Sequence, residues 1–313
     1  MYERVVSLAD VPTLLSTSSE AHAAAMAQMF GALPTSDEAP RARIDFGPGA
    51  IALPAGPPDE SLGDVQCWHE PGGVAVEHMS GLTARVSEGT ATVRGDCPDL
   101  SLVLRWICQP VLAYLLAPFD RFLLHAGAAG REGSALVLLG QSGSGKSTAT
   151  YAALCAGWEV LGDDHVVLRR TGKGIEVTGI PKPLSVPGEV AGDLPAGARR
   201  MHDERDRWEL PSALIAVGWR QLASAVAVRH ADSPEGAIHP TDRLRLLREM
   251  IAAFPASGSH EPLTRFLPLA ATVSRDAHSE LRLGRDPARR VQDAGRLLGR
   301  ILPQRTSPVA PVR

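Results

Sequence analysis

Cysteine is scarce in this chain. Four occur, at Cys67, Cys97, Cys108 and Cys155, and no two stand as a CxxC pair or at zinc spacing. That excludes a cysteine metal site and leaves reduced, mostly buried thiols of a cytoplasmic protein as the expected state. A basic excess is missing too. The formal net charge of −3 argues against a general nucleic-acid binder, although arginine is frequent in the last third. No clean membrane-spanning run exists: the most apolar stretch, Leu100 to Phe119, is interrupted by Arg105, Gln109 and Pro110. The first residues carry Glu3, Asp10 and Glu20 and lack a charged-then-apolar leader, so neither a signal peptide nor a membrane partner is expected. Internal repeats are absent.

What is present is the composition of an ordinary globular protein, 44% hydrophobic and 21% charged over 313 residues. That length supports two units, or one domain with an extension. The first hundred residues read as a small, mostly β unit. Strands are expected at Arg4 to Leu8, near Ile51, and at Val65 to His69, Val74 to His78, Leu82 to Val86 and Thr90 to Arg94, with a helix from Glu20 to Phe30. His69, Glu70, Glu77 and His78 can be imagined as metal ligands, but neighbouring strand residues point to opposite faces, so solvated surface is the expectation. Apolar residues at helical spacing predict a helix over Asp99 to Leu116 (Leu100, Val103, Leu104, Ile107, Val111, Leu112, Leu115), kinked or split at Pro110. The boundary falls near residue 97, with a second unit over 98–313.

The rest of the chain is organised around Ala135 to Thr148. An apolar run, Ala135 to Leu139, reads as a buried strand and stops at Gly140. Gly140, Gln141, Ser142, Gly143, Ser144, Gly145, Lys146, Ser147 and Thr148 follow, leading into a helix over Ala149 to Cys155. Gly140-x-x-x-x-Gly145-Lys146-Ser147 fits the phosphate-cradling P-loop. Glycines let successive N–H groups turn around an anion, and the helix N-terminus adds positive partial charge. Lys146 would neutralise the β- and γ-phosphates of ATP, and the Ser147 hydroxyl would hold Mg²⁺.

Eighteen residues after Lys146, the strand Trp158 to Gly162 delivers Asp163 and Asp164. One helix and one turn are all that separate them, so the doublet is expected on a strand beside the P-loop. One carboxylate could orient or deprotonate an attacking hydroxyl, and the other could help fix Mg²⁺. A plain turn doublet opening a hairpin is the alternative. Asn-Lys-x-Asp and Leu-Ser-Gly-Gly-Gln motifs are missing, and so is a distant second acidic strand. This pattern is more like a stand-alone kinase than a GTPase, a transporter ATPase or a motor. Further on, strands are expected at His165 to Arg170, Ile175 to Ile180, Ala213 to Trp219 and Ala225 to His230. A surface loop covers Pro181 to Arg207. Helices follow at Pro240 to Ala253, with Leu244, Leu247 and Ile251 on one face, and at Asp286 to Ile301, before a tail from Ser307.

Three blocks resemble the HPr kinase/phosphorylase family, and more closely its shorter HPr-kinase-related relatives: Leu123-Leu-His125-Ala-Gly127, Gly140 to Thr148, and Ala156-Gly157-Trp158-x-x-Leu161-Gly162-Asp163-Asp164. Ile180-Pro-Lys-Pro-Leu-Ser185 resembles a further Pro-x-Pro stretch of those kinases. The resemblance implies an α/β fold with a P-loop core of the HPr kinase and phosphoenolpyruvate-carboxykinase-like kind, beside the small N-terminal β-rich unit. It also implies that His125 is an active-site histidine and Asp164 the proton acceptor. Glu189 stands near the place of the family's metal-binding glutamate, although Val186-Pro-Gly-Glu189-Val190 departs from the family's segment, so kinase rather than phosphorylase activity is expected. A transition-state arginine is expected among Arg199, Arg200, Arg205, Arg207 and Arg243. The expected function is ATP- and Mg²⁺-dependent phosphorylation of a serine hydroxyl on a peptide or small protein. Some relatives act on ribosomal natural-product precursors such as lasso peptides, and the family assembles into homo-oligomers. A small-molecule kinase for free serine or a sugar, and a nucleotide-binding regulator without turnover, are the competing readings.

Overall fold

A computed structural model describes residues 1–96, 100–192, 194–201, 206–275 and 278–302, leaving aside the side chains of 100–106 and 278. Cys97, Asp99, Arg205 and the tail from Ser307 fall outside the described residues, as do the side chains of Leu100, Val103 and Leu104. The protein is mixed α/β with several sheets.

The first sheet has eight strands. β1 (Tyr2–Leu8) and β2 (Val11–Thr17) form a hairpin, α1 (Glu20–Phe30) crosses over, and β3 (Ala42–Gly47) returns parallel to β2. β4 (Glu60–Leu62), β5 (Val65–Glu70), β6 (Gly73–His78), β7 (Thr83–Ser87) and β8 (Thr90–Arg94) complete the order β1-β2-β3-β8-β7-β6-β5-β4. The expected hairpins from Val65 onward are present. β2 and β3 were not foreseen, because Pro12 and the alternating Arg43 and Asp45 hide a buried strand. Ile51 does not lie on a strand; its N–H donates to the Thr83 hydroxyl at 2.9 Å. Of the four residues expected on solvated surface, His78 is instead buried and bonds Ser80, while His69, which bonds Tyr114, Glu70, which pairs with Arg85, and Glu77 are half-buried.

α2 (Leu100–Leu116) runs unbroken through Pro110. The expected split does not occur. Ile107, Val111, Leu112 and Leu115 are all fully buried, and their burial outweighs the one hydrogen bond that proline removes. The helix packs on β6, β7 and α1, and on β9 (Phe122–Leu124) of the second sheet, so one apolar core is continuous from Phe30 to Phe122, Phe254 and Phe266.

In the second sheet β10 (Gly127–Arg131) pairs with β11 (Ser134–Leu139), and α3 (Lys146–Cys155) leads to β12 (Glu159–Gly162). β13 (Val166–Thr171) and β14 (Gly174–Gly179) form the expected hairpin. The stretch expected as a surface loop instead contains β15 (Leu184–Pro187), β16 (Arg199–Arg200) and β17 (Arg207–Leu210), a small sheet of its own. Leu184, Val186 and Leu210 are buried there against Tyr151 and Val160. Ala213 to Trp219 holds a 3₁₀ turn and a single bridge, Ile215 to Val160, rather than a strand.

β18 (Arg220–His230) runs parallel to β11, and the sheet continues in the order β12-β10-β11-β18-β14-β13-β9. β19 (Ala237–Thr241) precedes α4 (Arg243–Ala252) and α5 (His260–Val273); β20 (His278–Leu283) then pairs with β18 and β19, and α6 (Pro287–Ile301) covers α3. Pro262 and Pro268 concealed α5 in the sequence. Among the described residues no helix is long and apolar enough to cross a membrane.

α4's buried side is rotated from the one expected, with Leu247 partly buried against the core as foreseen. Leu246 and Met250 are buried, whereas Leu244 is 64% exposed. Replacing Leu112 by Ala should therefore cost about 2–5 kcal/mol in urea unfolding. Leu244→Ala should change stability by under about 0.5 kcal/mol, as surface positions do.

Candidate active site

β11 is a central strand, and Ala135 to Leu139 are almost fully buried, so its end is a rigid platform. The chain leaves it at Gly140 with φ 150°, where a Cβ would lie 2.5 Å from Ser144 Oγ and 2.7 Å from the Val228 carbonyl oxygen. It enters α3 through Gly145 at φ 98°, where a Cβ would lie 2.3 Å from Leu283. Only glycine fits at either point. The loop wraps over the N-terminus of α3, whose first N–H groups have no helical partner and carry positive partial charge. His230, at the end of β18, holds the Gly143 carbonyl at 3.0 Å.

Lys146 is buried, and its ammonium donates to the carbonyls of Gly140 at 2.8 Å and Gln141 at 3.2 Å. Burial lowers its pKa, while Asp164, Asp163 and Glu249 resist that fall. The two aspartates follow β12, which pairs with β10 rather than with β11, so their strand is one removed from the loop's strand. They are nonetheless close enough to Lys146 for their charges to act on it.

The doublet splits into two different environments. Asp163 is 1% exposed, and neither carboxylate oxygen has a hydrogen-bond partner among the described residues. Burial and the charge of Asp164 push its pKa up to about 7; Lys182 and the neighbouring Ser147 hydroxyl pull down less strongly, the latter without completing a hydrogen bond of good geometry. Asp164 stands at φ 74°, a left-handed backbone uncommon outside glycine, and its side chain is 29% exposed. Burial alone would raise its pKa, but Lys182, bonded to Oδ2 at 2.5 Å, and His125 hold it well below the carboxylate range. The pair therefore presents one easily protonated and one firmly ionised carboxyl.

His125 follows β9, anchored by its N–H to the Ala253 carbonyl at 2.7 Å beyond α4. Its Nδ1 lies 3.8 Å from Asp164 Oδ1 and has no hydrogen-bond partner among the described residues. Burial lowers its pKa to about 4, so the ring is neutral at pH 7.

Lys146, Ser147, Asp163, Asp164 and His125 thus share one neighbourhood. Glu189 has a different partner: it pairs with Arg290 of α6 at 2.6 Å and lines a cavity of about 700 Å³ behind α3. Arg199 pairs with Glu209, Arg200 with Asp206, and Arg207 donates to the Ser185 carbonyl, all on the small sheet. Arg243 is exposed at the start of α4. Sequence reasoning missed Lys182, whose only signal was its place between Pro181 and Pro183, two residues that stiffen its backbone. It also missed Arg229 and Glu249, which line the cleft over the glycine loop and carry no motif.

No family model matches the sequence, and no curated protein matches it. Among solved structures the chain is similar to the Hpr(Ser) kinase/phosphatase from Coxiella burnetii, with 12% identity over 38% of this chain and 76% of that one, and a TM-score of 0.24.

The raised Asp163 pKa has a consequence for stability. On unfolding, the carboxyl returns from about 7 to its ordinary 3.8, so the folded state holds the extra proton between those values and stability falls as pH climbs through the window. His125, lowered from 6.5 to about 4, acts in the opposite direction between those two values. The difference between wild type and Asp163→Asn isolates the first effect: the variant's midpoint of thermal unfolding should gain on wild type as pH rises from 4 to 7. A constant offset would refute the assignment.

Proposed function

We propose that the protein is an ATP- and Mg²⁺-dependent kinase that phosphorylates a serine hydroxyl on a peptide or small protein. In this reading the α/β core is a P-loop kinase core, and Gly140 to Thr148 hold the nucleotide's phosphates. The observation that carries it is the split aspartate pair beside Lys146, since phosphoryl transfer needs one carboxylate for a cation and another for the attacking hydroxyl.

The loop's N–H groups and the start of α3 bind the phosphate oxygens, and Lys146 moves from the Gly140 and Gln141 carbonyls onto the β- and γ-phosphates. Asp163, with two unpartnered buried oxygens, and Ser147 fit a magnesium ion, which would supply neutralisation of phosphate charge there. Among the described residues no three acidic, histidine or cysteine side chains form a ready cage. Phosphate and water oxygens are the natural remaining ligands of such an ion.

Asp164 accepts a hydrogen bond from the serine hydroxyl and orients it in line with the γ-phosphorus. Its low pKa places proton transfer late: the oxygen–phosphorus bond forms and the bond to ADP breaks while the hydroxyl proton passes to Asp164. Lys182 keeps that carboxylate charged and aimed. Neutral His125 can bond the incoming oxygen without adding charge to the site.

The acceptor's side supports a peptide. Asp164 and His125 side chains are 29% and 33% exposed. The hydroxyl is therefore delivered from the open side.

Incubation with γ-labelled ATP, Mg²⁺ and serine-containing peptides should place label on serine, located by mass spectrometry. Asp164→Asn should lower the rate on the order of 10²–10⁴-fold while ATP binding persists. Lys146→Ala should weaken nucleotide binding itself. Unchanged turnover in Asp164→Asn would remove the base assignment, and nucleotide binding with no transfer to any acceptor would favour a regulator.

A further inference from the structure

Over the glycine loop lies a cleft of about 290 Å³ lined by residues 140–144, Val228, Arg229, His230 and Glu249. A carboxylate is an unfavourable wall for a triphosphate. Glu249 is only 11% exposed there, and its charge reaches Lys146. Its neutralising partner is Arg229, at 2.6 Å. Arg229 also lies 3.5 Å from Glu280, but that buried carboxylate already has Arg282 at 2.6 Å and Arg245 in contact. If Arg229 swings away, Glu280 keeps Arg282 and Arg245, and the group that loses its partner is Glu249, at the wall of the cleft itself. The Arg229 side chain is 44% exposed, and the next residue, His230, pins this end of β18 to the loop.

Building on the nucleotide-site reading above, we infer that Arg229 is the phosphate-binding arginine of this site, held by Glu249 until an anion in the cleft draws it away. None of the described arginines expected from the sequence for that role lines this cleft. Arg229 and Lys146 have the same arrangement: each is parked on an oxygen of the protein and each is released to a phosphate. A guanidinium bonds phosphate oxygens in a fork, so the exchange gains a bidentate contact. Glu249 sets the affinity by competing for the same group.

Equilibrium binding of ATP and ADP, with and without Mg²⁺, tests this without turnover. Arg229→Ala should weaken binding by about tenfold or more, and Arg229→Lys by less. Glu249→Gln should tighten it, because a competing carboxylate is removed. The double variant decides between contact and mere neutralisation. If Arg229 touches the nucleotide, the double variant binds more weakly than Glu249→Gln alone. Equal affinity of those two, or no tightening in Glu249→Gln at an unchanged unfolding midpoint, overturns the inference while leaving the nucleotide site intact. Absence of ATP binding by wild type overturns both. The conservative variants, Arg229→Lys and Glu249→Gln, keep the test valid should the alanine variant fold poorly.

Discussion

A half-buried site on this protein has to hold two ammonium groups, a guanidinium and three carboxyl groups close together. Every feature around the glycine loop follows from that electrostatic constraint. Burial lowers the Lys146 pKa, the charges of Asp164, Asp163 and Glu249 act against that fall, and two backbone carbonyls accept its hydrogen bonds. Asp164 stays charged because Lys182 lies on it. Asp163 has no such partner, and its proton affinity rises instead. Isolated buried charges are costly, so each group pairs, binds backbone or takes up a proton.

The fold supplies the rigidity that this balance needs. β11, flanked by β10 and β18, fixes where the loop begins, and α3 is packed between that sheet and α6. His125 is tied to the end of α4, and Pro181 to Pro183 lie against α1 and α2. The amino-terminal sheet therefore reaches the neighbourhood of Lys182 and Asp164 through its helix. Its core is continuous with that of the second sheet.

Much of the site was legible in the residues. The glycine positions, Lys146, Ser147 and the aspartate doublet announce themselves because their backbone and charge requirements confine the residue types. Hairpins with glycine turns, such as those at Gly89 and Gly174, were equally plain. The small sheet over Leu184 to Leu210 was not, since Pro, Gly and Arg dominate its composition while three buried apolar side chains carry its packing. α4 was found, but Leu246 and Met250 rather than Leu244 are its most buried positions, because Leu244, Leu246 and Leu247 offer competing faces and only neighbouring elements choose between them.

From the sequence alone came the local chemistry: a strand, a glycine turn, a lysine and serine opening a helix, and two acids a short distance on. Those are properties of neighbours along the chain. Which acid is ionised, which lysine and arginine face it, and where Glu189 points were decided by packing. Lys182 meets Asp164 across eighteen residues, and Arg229 meets Glu249 across twenty, and no periodicity encodes either encounter. Charge pairing falls off steeply with distance and depends on burial, so only the folded arrangement sets it.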